Sequence, residues 1–152
     1  MKGILTKNQI DELLHETSSG CLAMVGTDGL PYAVPVHFSY NGEAVYIHCA
    51  GSGRKLDCIK NNPNVGMTVY KMDGLRQSRS GDPCNTGTNY RSVIITGRAV
   101  LIEKFECKVK ALNSIIAKYT PQLSGAKMPD EAVKITTVIK IEISEIFGKC
   151  NS

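Results

Sequence analysis

The stretch from Tyr32 to Lys55, YAVPVHFSYNGEAVYIHCAGSGRK, holds two apolar runs joined by Asn41-Gly42 and ends in a glycine-rich turn. Asn-Gly between such runs is a strong hairpin signal, because both residues tolerate the positive φ of a tight turn between twisted strands. Tyr32–Tyr40 and Glu43–Cys49 are therefore expected as antiparallel partners. Pro35 has no N–H to give a ladder, so the first strand is expected at an edge or with a bulge. A two-residue turn sets Tyr40 opposite Glu43, His37 opposite Tyr46 and His48 opposite Pro35. On that register the two histidines are diagonal neighbours on one face, roughly 7–8 Å apart.

Outward from this hairpin the pattern continues. Thr6 and Gln9 resemble a capping box before Ile10, Leu13 and Leu14, which predicts a helix over 7–17. Cys21–Val25 reads as a strand turning back through Thr27-Asp28-Gly29. On the other side, Ser52 is expected to cap a helix carrying Leu56 and Ile59, stopped by Asn61-Asn62-Pro63. Val65–Tyr70 is a further strand, and polar residues 71–89 show no period and read as a functional or mobile loop. Tyr90–Ile102 is a long strand with Gly97 as a bend or bulge. Phe105, Val109, Leu112, Ile116 and Tyr119 mark a third helix, and 120–133 is a connector. Ile135, Ile139, Ile141 and Ile143 define a closing strand. The expected fold is α+β and mainly β: six antiparallel strands forming a barrel, three flanking helices, and one domain over 1–152.

Composition excludes several classes. No apolar run reaches the roughly 18 residues that span a bilayer, and MKGILTKNQI lacks a signal-peptide core, so a cytoplasmic protein without membrane association is expected. The net charge of +4 is spread among 14 acidic residues without a basic stripe, which argues against a nucleic-acid partner. Cysteines 21, 49, 58, 84, 107 and 150 show neither CxxC nor zinc-finger spacing, so no metal site is expected. Most are expected to be small buried apolar residues.

Chemistry concentrates in YIHCAGSGRK. Gly51 and Gly53 let backbone approach a ligand, a helix start offers free N–H groups to an anion, and Arg54 and Lys55 add two charges. This is a candidate phosphate site, although it is neither a Walker motif nor GxGxxG. His37 and His48 share a face, but no third ligand accompanies them. Cys49 adjoins His48 and faces the other way, so it is not read as a nucleophile. His15 is assigned to the surface.

Pro35-Val36-His37-Phe38, Tyr46-Ile47-His48-Cys49-Ala50, Gly53-Arg54-Lys55-Leu56, Tyr90-Arg91-Ser92-Val93 and Gly97-Arg98-Ala99, in this order and spacing, resemble the FMN-binding split-barrel superfamily of pyridoxamine 5'-phosphate oxidases. The likeness is strongest to the nitroimidazole-resistance branch and runs from Leu22 to Phe147. It implies a six-stranded split β-barrel and a homodimer holding FMN at the subunit interface. It implies flavin phosphate at Ser52, Arg54 and Lys55, with the ring along Val36, His37, Ile47, His48 and Cys49. Tyr90, Arg91 and Ser92 would complete the site near the dimer seam, and His48 is the candidate catalytic residue by position in that branch. With no Trp anywhere, the chain departs from the substrate-gripping segment of true oxidases, and pyridoxal phosphate synthesis is not expected.

Two functional readings follow from the resemblance. One is a flavin-dependent reductase passing electrons from NADH or NADPH to a nitro- or quinone-like small molecule, with His37, His48, Arg91, Arg76 or Arg79 as a positive charge near the ring. The other is a flavin- or haem-binding module without turnover, motivated by the lack of an identifiable acid or base.

Overall fold

The computed structural model describes residues 2–151. Its strands are β1 (Lys2–Ile4), β2 (Gly20–Val25), β3 (Pro31–Val36), β4 (Ser39–Tyr40), β5 (Ala44–Cys49), β6 (Asn64–Arg76), β7 (Gly87–Leu101) and β8 (Thr137–Asn151). Its helices are α1 (Lys7–Glu16), α2 (Arg54–Asn61), α3 (Phe105–Tyr119) and α4 (Asp130–Ile135). One antiparallel sheet runs in the order β3-β2-β6-β7-β8-β5-β4, with β1 added against β8. The α+β split-barrel class expected from the sequence is the observed one, with eight strands and four helices in place of six and three.

The edges of this sheet explain the word split. β3 and β4 are its two opposite margins, yet they follow one another in the chain with only His37 and Phe38 between them. The single strand expected over Tyr32–Tyr40 thus leaves β2 after Val36 and joins β5 at Ser39. Covalent chain, with no ladder, closes the curve. Phe38, fully buried at the crossing, belongs to a core that also holds Leu22, Ile47, Met67, Ile95 and Ile139. Alternation along β2, buried at Gly20, Leu22 and Met24 and exposed between them, is the period of a strand with one face on that core. Ile10, Leu13 and Leu14 of α1 join the same cluster, after the Thr6–Gln9 capping box forms as expected.

Three sequence expectations are corrected. The Asn41 side chain accepts the N–H groups of Glu43 and Ala44, so Gly42 and Glu43 form the turn, and Ser39 (not His37) faces Tyr46. Residues 71–76 and 87–89 extend β6 and β7 as a two-stranded hairpin, leaving only 77–86 as connection, which includes a short 3₁₀ turn. The 120–133 connector runs into α4, which takes Ile135 out of the closing strand and leaves it 75% exposed. The cysteine expectation also fails. Cys58 is buried, Cys49 and Cys150 are half-buried, and Cys21, Cys84 and Cys107 are exposed.

Gly97 is the bulge point its sequence position suggested: the β7–β8 register shifts between Thr96 and Gly97. A Cβ there would overlap Glu142 O and lie 3.1 Å from Ile141 Cγ2, whereas one at Gly51 would meet nothing closer than 3.9 Å. Gly97→Ala is expected to destabilise by about 1–3 kcal/mol, the usual cost of overpacking. Gly51→Ala should leave the urea midpoint near wild type.

Candidate functional site

The glycine-rich turn after β5 delivers the chain into α2, and here the expected cap is corrected. Gly53, with φ 128°, is the N-cap; Ser52 lies outside the helix, and no side chain caps it. Gly53 is required because that φ is strained for residues with a Cβ. Leu56 and Asp57 both donate to Gly53 O, so Arg54 and Lys55 N–H groups stand free at the helix start. Arg54 is exposed, with its guanidinium 4.2 Å from the Tyr32 ring centroid and 4.0 Å from Asp28 Oδ2. Lys55 is half-buried. A backbone nest plus two cations is a donor set suited to a phosphate.

Next to this turn lie the ends of β5 and the β3–β4 crossing. Val36 and Ile47 are buried, while His37 and His48 are exposed on the outer side. His37 stacks on Tyr119 of α3, centroids 4.9 Å apart at 29°. Desolvation, then the charges of His37 and Lys55, lower the His48 pKa, so its neutral form is favoured. Burial pushes the Cys49 thiol up, against the opposing charge of Lys55, which keeps it protonated and poorly nucleophilic. Val36 and Ile47 turn into the core, whereas His37, His48, Ser52 and Arg54 are exposed and Cys49 and Lys55 half-buried around the end of β5 and the start of α2, here called the shelf.

Tyr90, Arg91 and Ser92 are elsewhere. Arg91 stands ten positions from Leu101 along β7, and Leu101 faces Ile139, the partner of Ile47. At about 3.3 Å per residue, roughly 30 Å of strand separates it from the shelf. Its guanidinium is also committed, to Asp73 (3.0 and 3.2 Å) and Glu16 (2.8 Å), while Lys71 holds the other Glu16 oxygen at 2.8 Å. These bonds hold the Glu16 and Asp73 carboxyls below their ordinary range and raise Arg91. Arg91 therefore clamps α1 to the β6–β7 hairpin.

Tyr90 and Ser92 point to the opposite, outer face. Around them Tyr70, Met72, Ile94 and Phe147 are 38–55% exposed, and the Tyr70 and Tyr90 rings lie 5.9 Å apart. Ser92 is 4% exposed, and its Oγ has no hydrogen-bond partner. None of the site residues named from the sequence lines the grooves of about 430, 730 and 630 Å³ on this molecule. His37, His48, Ser52 and Arg54 are open to solvent.

Tyr119 is the site residue that sequence reasoning missed. Its hydroxyl accepts from Phe38 N–H (2.8 Å) and lies within bonding distance of Phe38 O (3.0 Å) and Ser18 O (2.7 Å). Its helical spacing read only as a core face. Beside it, Lys118 is half-buried, donates to Leu14 O at 2.8 Å, and sits 3.7 Å from the Phe38 ring centroid. Desolvation brings its pKa down to about 8.

The fold has counterparts among solved structures. A candidate 5-nitroimidazole antibiotic resistance protein from Bacteroides thetaiotaomicron superposes with TM-score 0.87 at 24% identity, over 99% of this chain and 87% of that one. The flavocytochrome Anf3 from Azotobacter vinelandii gives 0.83 at 25%, over 97% and 68%. An FAD- and haem-binding protein from Mycobacterium smegmatis gives 0.87 at 19%, over 99% and 73%. By sequence, an uncharacterised Rhizobium meliloti protein is 28% identical over 71 residues, 47% of this chain and 38% of that relative's length. The pyridoxamine 5'-phosphate oxidase family profile matches residues 6–150, and the chain belongs to that family. No helix among the described residues is long and apolar enough to cross a membrane.

The lowered His48 pKa has a measurable sign. Between its folded value and the ordinary 6.5, the unfolded chain binds a proton that the folded chain refuses. Stability is expected to fall as pH drops from 6.5 toward the folded value. His48→Gln should flatten that part of the curve, measured as urea midpoint against pH.

Proposed function

We propose that this protein binds FMN on the Arg54–His48 shelf, between two copies of itself, and acts as a cytoplasmic flavin-dependent reductase. The single observation that carries the reading is an uncapped, doubly cationic helix start following directly on the strand that carries His48, with His37 in the nearby crossing. Phosphate fits the nest of Gly53, Arg54 and Lys55, and no Cβ at Gly53 crowds it. Ser52 is within the same turn. A flat ring fits along Val36, His37, Ile47, His48 and Cys49, where the backbone at the β3–β4 crossing leaves its ladder.

A bound flavin would supply the redox chemistry, two-electron transfer between NADH or NADPH and a nitro- or quinone-like acceptor. The chain's own residues bind and orient. Arg54 and Lys55 neutralise the phosphate, and His48 offers a neutral imidazole to the polar edge of the ring. A second copy would supply a second wall, a reading supported by the apolar outer face around Ile94 and Phe147, on which Tyr90 and Ser92 also lie. Three exposed thiols suit a reducing compartment. A non-catalytic flavin- or haem-binding module is the second reading, favoured by one observation: a neutral, exposed histidine is a competent iron ligand.

The visible spectrum of purified protein with FMN, then with NADH or NADPH under argon, separates these readings. Bound flavin that bleaches supports the reductase, and bound flavin that stays yellow supports the module. Failure to bind FMN removes both flavin readings, and a haem absorption band would leave the haem form. Removing both cations in Arg54→Ala/Lys55→Ala is expected to weaken FMN by about 10- to 100-fold. Phe147→Asp should shift the sedimentation coefficient from dimer to monomer.

A further inference from the structure

Resting on that reading of the shelf, we propose that Tyr119 is a positioning residue of the flavin site. It holds His37 beside His48, so that the two imidazoles act as one coupled pair at the ring's polar edge.

The argument starts from the crossing. Between Val36 and Ser39 the chain belongs to no ladder, so nothing in the sheet itself orients His37. Tyr119 provides what the ladder does not. Its hydroxyl accepts the Phe38 N–H at 2.8 Å and has Phe38 O and Ser18 O at 3.0 and 2.7 Å, which ties both backbone groups of the crossing to the α1–β2 connection. Its ring lies against the His37 imidazole in a stacked geometry. One side chain therefore fixes His37 through its neighbour's backbone and through its own face.

What His37 then does is electrostatic. The β4–β5 ladder ends at the Ser39–Tyr46 pair, and His37 and His48 each stand two residues beyond it on the two chains, so the charge of His37 adds to desolvation in lowering the His48 pKa. Lys55 from α2 acts in the same direction. Cys49 on β5 is kept neutral by burial, and Lys118 on α3, 5.5 Å from the Tyr119 ring centroid, points to Phe38 and Leu14 O. Among these groups no carboxylate offsets the cations. A proton on His37 therefore disfavours one on His48, and a Tyr119 that lets His37 swing away would release that coupling.

The test follows the imidazole resonances of His37 and His48 by NMR titration in flavin-free protein, so it does not depend on FMN binding. His37→Gln is expected to raise the His48 pKa. Tyr119→Leu, which removes stack and hydroxyl, should raise it in the same direction. Tyr119→Phe keeps the stack and should leave it near wild type while lowering the unfolding midpoint. In holoprotein, Tyr119→Leu is expected to weaken FMN at least about threefold and to move the pH profile of flavin reduction toward that of His37→Gln. A merely structural tyrosine would change stability and leave the titrations untouched. Unchanged His48 titration in folded Tyr119→Leu, or in His37→Gln, overturns the proposal. Should Tyr119→Leu not fold, His37→Gln and a His37–Tyr119 nuclear Overhauser contact decide it. Coupled titrations in a chain that never binds FMN would sink the flavin reading and leave the pair standing.

Discussion

Everything in this structure depends on how two residues, His37 and Phe38, cross from one margin of the sheet to the other. An open sheet of seven successive strands would present two bare edges, each a template for unwanted pairing. Here the same segment of chain forms both edges, and the burial of Phe38 draws them around a common interior. Burying a phenylalanine completely is worth roughly 2–3 kcal/mol, comparable to a substantial share of a small domain's net stability. The polar groups freed at the break are met by Tyr119, which lets the crossing persist without a ladder.

That economy places the candidate chemistry. A break in the ladder exposes backbone and side chains to a ligand that an intact strand would hide. α2 begins close by, because the turn after β5 must reverse within Ala50–Gly53. The cationic start of α2 and the histidines are thus neighbours because of topology. Arg91 shows the opposite case: its charge is consumed in joining α1 to the hairpin, and its value lies in stiffness.

The sequence spoke clearly where local rules govern. The Thr6–Gln9 capping box, the Gly97 bulge and the run SGRK each named a cap, kink or helix start that exists. It misled where tertiary context overrides them. Asn41 used its side chain to close the turn, so the register moved by two residues. The hairpin over 71–76 and 87–89 is exposed on both faces and therefore has no alternating pattern to read. α4 is six residues long and lacks a side-chain cap. Of the site, Arg54, Lys55 and the histidines were legible, whereas Tyr119 looked like one more apolar position on a helix. The split itself was visible through the family likeness and Pro35, never through periodicity.

β8 carries a consequence for the order of events during folding. It bonds to β1, β5 and β7, all of which precede it in sequence. Until residues 137–151 leave the ribosome, β5 and β7 each lack a neighbour, and the shelf at the end of β5 has no sheet behind it. Long-range closures of this kind are slow, and the waiting edges are sticky. The nascent chain must therefore wait in a half-made sheet until residues 137–151 emerge, which makes the docking of β8 the step that commits it.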